Sequence, residues 1–353
     1  MNHNIQENNI ILIYPDYPMN LRTIQFISLK LSLLFPSTEC RHGEVSPEFT
    51  DCSFIYSGWR IDSFCGSYDG LLCICYVRTD VDCNKDEQIV VLNPSTTEFK
   101  EIRVPTKLTG KGKIKLRSLF WFGYDYKIAD YKLVRVVGLD SRGKENFEVE
   151  VYTLGLDSWR KIDEHVSYKF EKHQPGVLVN GALHWFVVSN VKRVKVLVSF
   201  DISNERFVEL PLPKERLTYP EEPLEDAKYQ RKVGELGGCI CLLFHVFGVR
   251  VDVWIMQEYG VWESWTKSFT IKRETITRAL YLSLKWSFLN NEILLQCDDK
   301  LILYDPKNGR HRKLAVCQID TCTDAVKYVP SLVPLNSGKY LVHLRNKGKQ
   351  WKA

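Results

Sequence analysis

One pattern returns five times along the chain. It reads "IVVLNPSTTEFKEI" from Ile89, "VEVYTLGLDSWRKI" from Val149, "LVSFDISNERFVEL" from Leu197, "VDVWIMQEYGVWESWTKSF" from Val251 and "LILYDPKNGRHRKL" from Leu301. Each copy opens on about five residues rich in Val, Ile, Tyr or Trp, which suit a half-buried pleated surface. A turn follows. Asn93-Pro94 and Asp305-Pro306 set an Asx side chain ahead of a proline fixed for position i+1 of a type I turn. Four residues after each start stand Asn93, Thr153, Asp201, Ile255 and Asp305, and six further on stand Phe99, Trp159, Phe207 and His311. In the fourth copy the hairpin is four residues longer, which brings Trp265 to the matching place. The starts lie 60, 48, 54 and 50 residues apart.

A second signal precedes most of these strands. "YDGLLCIC", "VNGALHWFV", "LGGCICLLF" and "LNNEILLQC" each place a turn dipeptide before an apolar run: Asp69-Gly70, Asn180-Gly181, Gly237-Gly238 and Asn290-Asn291. These residues tolerate the positive φ that a two-residue hairpin requires. "FGYDYKIADYKLVRVV" fills the one gap in the series and supplies strands without a Gly turn. A unit of about fifty residues with two hairpins, repeated, is the signature of an all-β, β-propeller-like chain. Five units are visible, at 63–105, 120–163, 176–213, 233–271 and 285–316. Strands near 8–33, with "AVKYVPSLVPL" and "KYLVHLR" at the far end, are expected to combine as a further unit. That gives about six blades of antiparallel strands in a ring closed by both termini, which removes exposed sheet edges.

Composition narrows the function classes. Of 353 residues, 44% are hydrophobic and 26% charged, a globular balance. The net charge of +5 comes from 48 basic against 43 acidic residues, too mild an excess to argue for nucleic acid. The eleven cysteines include no C-x-x-C pair. Cys73/Cys75 and Cys239/Cys241 sit two apart in apolar strands, on one face, and read as buried thiols rather than a metal site. The first residues, "MNHNIQENNIILIY", lack the basic and apolar regions of a signal peptide. "IQFISLKLSLLF" is twelve residues with a lysine, too short to span a bilayer. A soluble protein of the cytoplasm and/or nucleus is expected, with no membrane partner.

Motifs that carry chemistry are absent from the sequence. The eight histidines are scattered, and none forms H-x-x-x-H or H-E-x-x-H, so no metal is expected. No nucleophile elbow or phosphate loop appears; no cofactor, no catalytic residue and no enzymatic activity are expected. Trp265 falls in the once-per-unit aromatic column and is expected to pack between blades. Trp254 and Trp262 fall outside it and are candidate partner contacts. Lys111, Lys113 and Lys115, in the basic stretch "LTGKGKIKLR", are further candidates. "LPKERLTYPEEPLEDAKYQRK" (212–232) is the longest polar connection, where recognition or a solvated linker would reside.

The order of several motifs resembles the F-box-associated domain of plant F-box and F-box/kelch-repeat proteins, including the S-locus F-box type. The matching segments are "GSYDGLLCI", "VLNPSTTEFKEI", "FGYDYKIADYKLVRV", "EVYTLGLDSWRKI", "GVLVNGALHWFV", "SFDISNERFVELPLP", "DVWIMQEYGVWESWTKSFTI", "ILLQCDDKLILYDP" and "YVPSLVPL". They cover roughly residues 50 to 335. The resemblance implies a kelch-like propeller that binds a protein substrate for an SCF-type ubiquitin ligase, through a Skp-type adaptor and cullin where an F-box is attached. Residues 1–50 contain neither the Leu-Pro start nor the R-x-V-C-K-x-W run of an F-box. The expected layout is therefore an N-terminal strand segment at 1–50, the F-box-associated domain at 51–345 and a basic tail at 346–353. The alternatives are a binding protein uncoupled from a ligase or a truncated gene product, and, further off, a propeller-fold enzyme.

Overall fold

Asp69 and Gly70 both take positive φ, at 45° and 79°, and Asn180-Gly181 (51°, 72°) and Gly237-Gly238 (60°, 82°) do the same. Two left-handed residues in succession make the turn whose twist matches that of the strands it joins. The structure is a computed structural model. It describes residues 9–15, 24–30, 44–45, 48–50, 60–79, 85–105, 117–141, 144–163, 166–170, 176–213, 229–272, 282–288, 290–316 and 324–335.

Five sheets follow the repeats. The first runs in order through Arg60–Tyr68, Leu71–Thr79, Lys85–Asn93 and Glu98–Arg103. The second comprises Arg117–Asp125, Asp130–Ser141, Lys144–Thr153 and Ser158–Ile162. In the third, Ala182–Ser189 pairs with Tyr168–Lys169, Val177–Val179 and Lys195–Asp201, and Arg206–Leu210 lies outermost. The fourth comprises Tyr229–Leu236, Cys239–Val246, Arg250–Met256 and Trp265–Lys272. The fifth comprises Leu282–Ser287, Ile293–Cys297, Lys300–Asp305 and Arg310–Lys313. We call these blades one to five. Most begin a few residues earlier than the periodicity indicated, because first strands such as "YQRKVGEL" carry polar residues that break the apolar pattern.

The count of such blades is five, not about six. The strands near both ends form a separate sheet in the order Asp324–Tyr328, Asn9–Pro15, Ile24–Lys30 and Glu48–Thr50. A repeat unit needs two hairpins in sequence. The N-terminal segment supplies one, with Asn9 opposite Lys30 and Pro15 opposite Ile24, plus a three-residue strand. The expected strand "KYLVHLR" lies outside the described residues.

The chain divides into two compact units, residues 1–53, 184–186 and 209–327, and residues 54–183, 187–208 and 328–353. In the second unit, Cys65, Cys73, Cys75, Val91 and Ile102 of blade one pack with Phe120, Phe122, Tyr131, Leu133 and Tyr152 of blade two. In the first, Cys241, Leu243, Val251, Val253 and Ile271 of blade four pack with Leu282, Leu295, Cys297 and Tyr304 of blade five. Each group is the inward set of period-two strands, and its burial supplies the main stabilising term. Cys65, Cys73, Cys75, Cys239, Cys241 and Cys297 are all free thiols.

The once-per-unit column is real but unevenly buried. Trp159 and Trp265 stand opposite Tyr152 and Met256, while His311, opposite Tyr304, is exposed. Phe207 packs on Phe200 and Phe170, with ring centroids 5.0 Å and 6.2 Å away.

Candidate interaction face

In each of blades one to five the two hairpin turns lie at the same end of the sheet. Four of the second hairpins close through a four-residue turn: 94–97, 154–157, 202–205 and 306–309. The fourth turn residue is left-handed every time, at Thr97, Asp157, Glu205 and Gly309. Asn93, Asp201 and Asp305 brace their turns from the side chain. Their Oδ1 atoms accept from the backbone N–H of Ser95 (3.0 Å), Ser203 (3.0 Å) and Lys307 (2.9 Å). Blade two uses the same device for its first hairpin, with Asp125 Oδ1 accepting from Lys127 N at 2.8 Å and Ala129 left-handed. That is how "FGYDYKIADYK" turns without glycine.

In the second unit this end carries a tyrosine cluster. Tyr68 stacks on Tyr124 with ring centroids 5.0 Å apart, and its hydroxyl lies 2.7 Å from that of Tyr126. Tyr131 stacks on Phe122 and meets Tyr124 edge-on. Burial, then the hydrogen bond with Tyr126, raises the Tyr68 phenol well above its ordinary value; burial pushes Tyr124 up to about 12. These hydroxyls stay neutral at physiological pH. Tyr126 itself is 61% exposed, and Ile128, Leu156 and Leu332 project from the same end. Leu156 is 70% exposed and Leu332 81%.

These apolar turns are fixed from below by charge. Lys132 Nζ donates to Asp125 Oδ2 at 2.5 Å, to Glu205 Oε1 at 2.6 Å and to the Ile202 carbonyl at 3.2 Å. Glu205 also pairs with Arg160, and Ser203 Oγ donates to Asp125 Oδ1 at 2.8 Å. Although burial works against it, the hydrogen bonds from Lys132, Ser203 and Lys127 hold the Asp125 carboxyl below its usual value. The 126–129 turn is thus locked onto the 202–205 turn. Side chains presented on so rigid a support lose little entropy on binding.

In the first unit the corresponding turn of blade four is an eight-residue loop, 257–264, that contains the 3-10 turn Trp262–Ser264. Tyr259, Val261 and Trp262 are exposed on it, beside the exposed Glu258 and Glu263. The Tyr259 hydroxyl lies 2.8 Å from Nε2 of the fully buried His184.

The sequence candidates fall as follows. Trp262 is 37% exposed, on the loop just described. Trp254 is 7% exposed, its ring edge-on to Phe244, so it faces the interior. Lys111, Lys113 and Lys115 lie outside the described residues, as does most of the 212–232 connection. Sequence reasoning passed over Tyr68, Tyr126, Ile128, Leu156 and Leu332. The signal was present, since large apolar residues occupied turn positions where Gly, Asn or Ser is usual. Among the described residues no group of three His, Cys, Asp or Glu side chains is placed to hold a metal ion. Among them, too, no helix is long and apolar enough to cross a membrane.

Blades of antiparallel hairpins, with large apolar side chains exposed on several of their turns, define a β-propeller scaffold. Residues 18–335 match the F-box associated beta propeller domain, and the chain belongs to that family. It is 29% identical over 307 residues to the Arabidopsis thaliana "F-box protein CPR1", covering 78% of this chain and 70% of the relative. It is 29% identical over 220 residues to the "F-box/kelch-repeat protein At3g23880" of the same plant, covering 62% and 56%. The chain thus spans between 56% and 70% of the length of these relatives. Among solved structures it overlays on the "Hadza microbial sialidase Hz136" with a TM-score of 0.43 at 12% identity, covering 76% of this chain and 58% of that one. An overlap of that degree carries no inference.

Proposed function

We propose that this propeller is the substrate-recognition arm of an SCF-type ubiquitin ligase, acting in the cytoplasm or nucleus. It binds a protein substrate, and it performs no chemistry of its own. Coupling to the ligase runs through an F-box module, a Skp-type adaptor and a cullin. The mechanism is positional: a bound substrate is held where ubiquitin transfer to its lysines becomes effectively intramolecular. The observation that supports this reading is the set of large exposed apolar side chains, Tyr126, Ile128 and Leu156 on hairpin turns with Leu332 in the 329–335 segment, in a chain of the F-box associated family. Solvated turns have no folding reason to carry such residues, whereas binding surfaces are enriched in them.

The test fuses the chain to an F-box and assembles it with a Skp-type adaptor, cullin and ubiquitination enzymes in plant extract. Proteins ubiquitinated only in the presence of the propeller are then identified. Signal that falls with Tyr126→Asp or Leu156→Asp supports the reading. No signal above an F-box-only control, or one indifferent to both substitutions, overturns it.

A further inference from the structure

Blade four closes its second hairpin in an unusual way. Blades one, two, three and five use four residues; blade four uses eight, 257–264. The fold does not need the extra length, because the shorter turn serves every sister blade. What the insertion adds is Tyr259, Val261 and Trp262, all exposed, with exposed carboxylates at Glu258 and Glu263.

The loop is not slack. Gln257 N donates to the Ser264 carbonyl at 3.2 Å, closing its neck. Val261 N donates to the Glu258 carbonyl at 3.1 Å, and Ser264 Oγ lies 2.9 Å and 2.7 Å from the carbonyl oxygens of Glu258 and Val261. Gln257 Nε2 donates to Thr266 Oγ1 at 3.2 Å, and Gly260 N to the Met256 sulfur at 3.0 Å. Tyr259 is rooted on the buried His184. A Trp-Tyr-Val surface preordered in this way meets the two conditions for a binding hot spot: large apolar area and little ordering left to do.

Charge selects the occupant. With a carboxylate four residues before Trp262 and another directly after it, the loop repels acidic segments and attracts basic ones. We infer that loop 257–264 is the specificity element of the receptor, and that it docks a partner segment presenting an apolar or aromatic side chain flanked by Lys or Arg. This rests on the substrate-receptor reading and names the chemistry of what that receptor takes.

The experiment is phage selection of random twelve-residue peptides on the purified full chain. It is followed by affinity measurement of the enriched peptides on variants. Enriched peptides are expected to carry an apolar anchor between basic residues and to weaken as salt rises. They should lose about tenfold or more in affinity on Trp262→Ala. Trp262 sits in a turn with no buried residue, so this variant keeps the core intact. On the double variant Glu258→Lys, Glu263→Lys, selection should turn toward acidic flanks. Peptides without basic bias, peptides that bind Trp262→Ala unchanged, or no enrichment at all would each overturn the inference. Peptides whose binding instead depends on Tyr126 or Leu156 would remove the loop and leave the receptor reading standing. Loss of ligase coupling in the ubiquitination assay, with peptide binding intact, would do the reverse.

Discussion

The indole N–H of Trp265 donates to the backbone carbonyl of Pro211 at 2.9 Å, just beyond the last strand of blade three. Trp159 makes the same bond to the carbonyl of Arg103, in the last strand of blade one, also at 2.9 Å. In blades two and four the recurring tryptophan thus does two jobs: its ring packs beside its own hairpin and its N–H ties down the end of the preceding blade. Trp265→Phe keeps most of the ring and loses the bond, so it should destabilise by about 1 kcal/mol. Trp265→Ala should cost about 3–5 kcal/mol, because a buried ring is deleted. Urea midpoints of the two variants separate the contributions.

Lys132 pairs with Asp125 at 2.5 Å, and both side chains are buried. Lys132→Met should destabilise by about 3–5 kcal/mol, since it strands a buried carboxylate. The pH response follows from the depressed Asp125 carboxyl. Its stabilisation is complete above the unfolded value of about 4 and is lost as pH falls through the lower folded value. The native chain should therefore lose stability on going below about pH 4, and Lys132→Met should lose less over that step. Denaturation midpoints at pH 6 and pH 3, for both proteins, decide it.

His245 and Lys232 give two further pH windows. Burial, then the charge of Lys232, pushes His245 down to about 4, and its Nε2 has no hydrogen-bond partner among the described residues. Burial pushes Lys232 down to about 8. A depressed histidine stabilises fully above the unfolded value of about 6.5, and that contribution drains away as pH falls toward its folded value. A depressed lysine behaves alike in its own range, so stability should climb again between about pH 8 and 10. His245→Phe should flatten the first slope and Lys232→Met the second. Thermal midpoints across the pH range test both.

How much of this was legible in the residues differs by level. Continuous apolar runs such as "VVLN" and "LILYD" disclosed five blades, because strands buried on both faces carry apolar residues at consecutive positions. Asp69-Gly70 and Asn93-Pro94 disclosed the turns, because backbone sterics restrict who can sit there. The sheet joining strands from both ends was expected from their apolar runs and is present; only the count was too high, because that sheet lacks the two sequential hairpins of a repeat. Trp254 looked like a surface candidate because it lies outside the aromatic column. A register shift between Val253 and Trp254 places a bulge at that position, and its ring is buried. Lys132 was equally invisible: a lysine in an apolar strand gives no hint that a carboxylate from a neighbouring strand end and another from a turn of blade three converge on it.

Two glycines, Gly70 and Gly238, have nearly identical backbones. Gly70 has φ of 79° and Gly238 of 82°, so alanine at either must adopt a left-handed conformation costing roughly 1–2 kcal/mol. Their surroundings differ. A Cβ on Gly238 would meet nothing within 4 Å, whereas one on Gly70 would lie 2.2 Å from the Ser331 Cβ and 2.6 Å from the Val329 carbonyl oxygen. Gly238→Ala should therefore show the backbone cost alone. Gly70→Ala must also push away the 329–333 segment, which Asn93 holds through its Nδ2 bonds to the carbonyls of Ser331 (2.9 Å) and Val333 (2.8 Å). Its urea midpoint should fall further than that of Gly238→Ala, with faster amide exchange at Leu332 and Val333. Because Leu332 is the most exposed of the apolar side chains at this end, the same variant should weaken substrate capture, and Gly238→Ala should not. Equal midpoints for the two variants would show that the 329–333 segment does not sit against the Asp69-Gly70 turn.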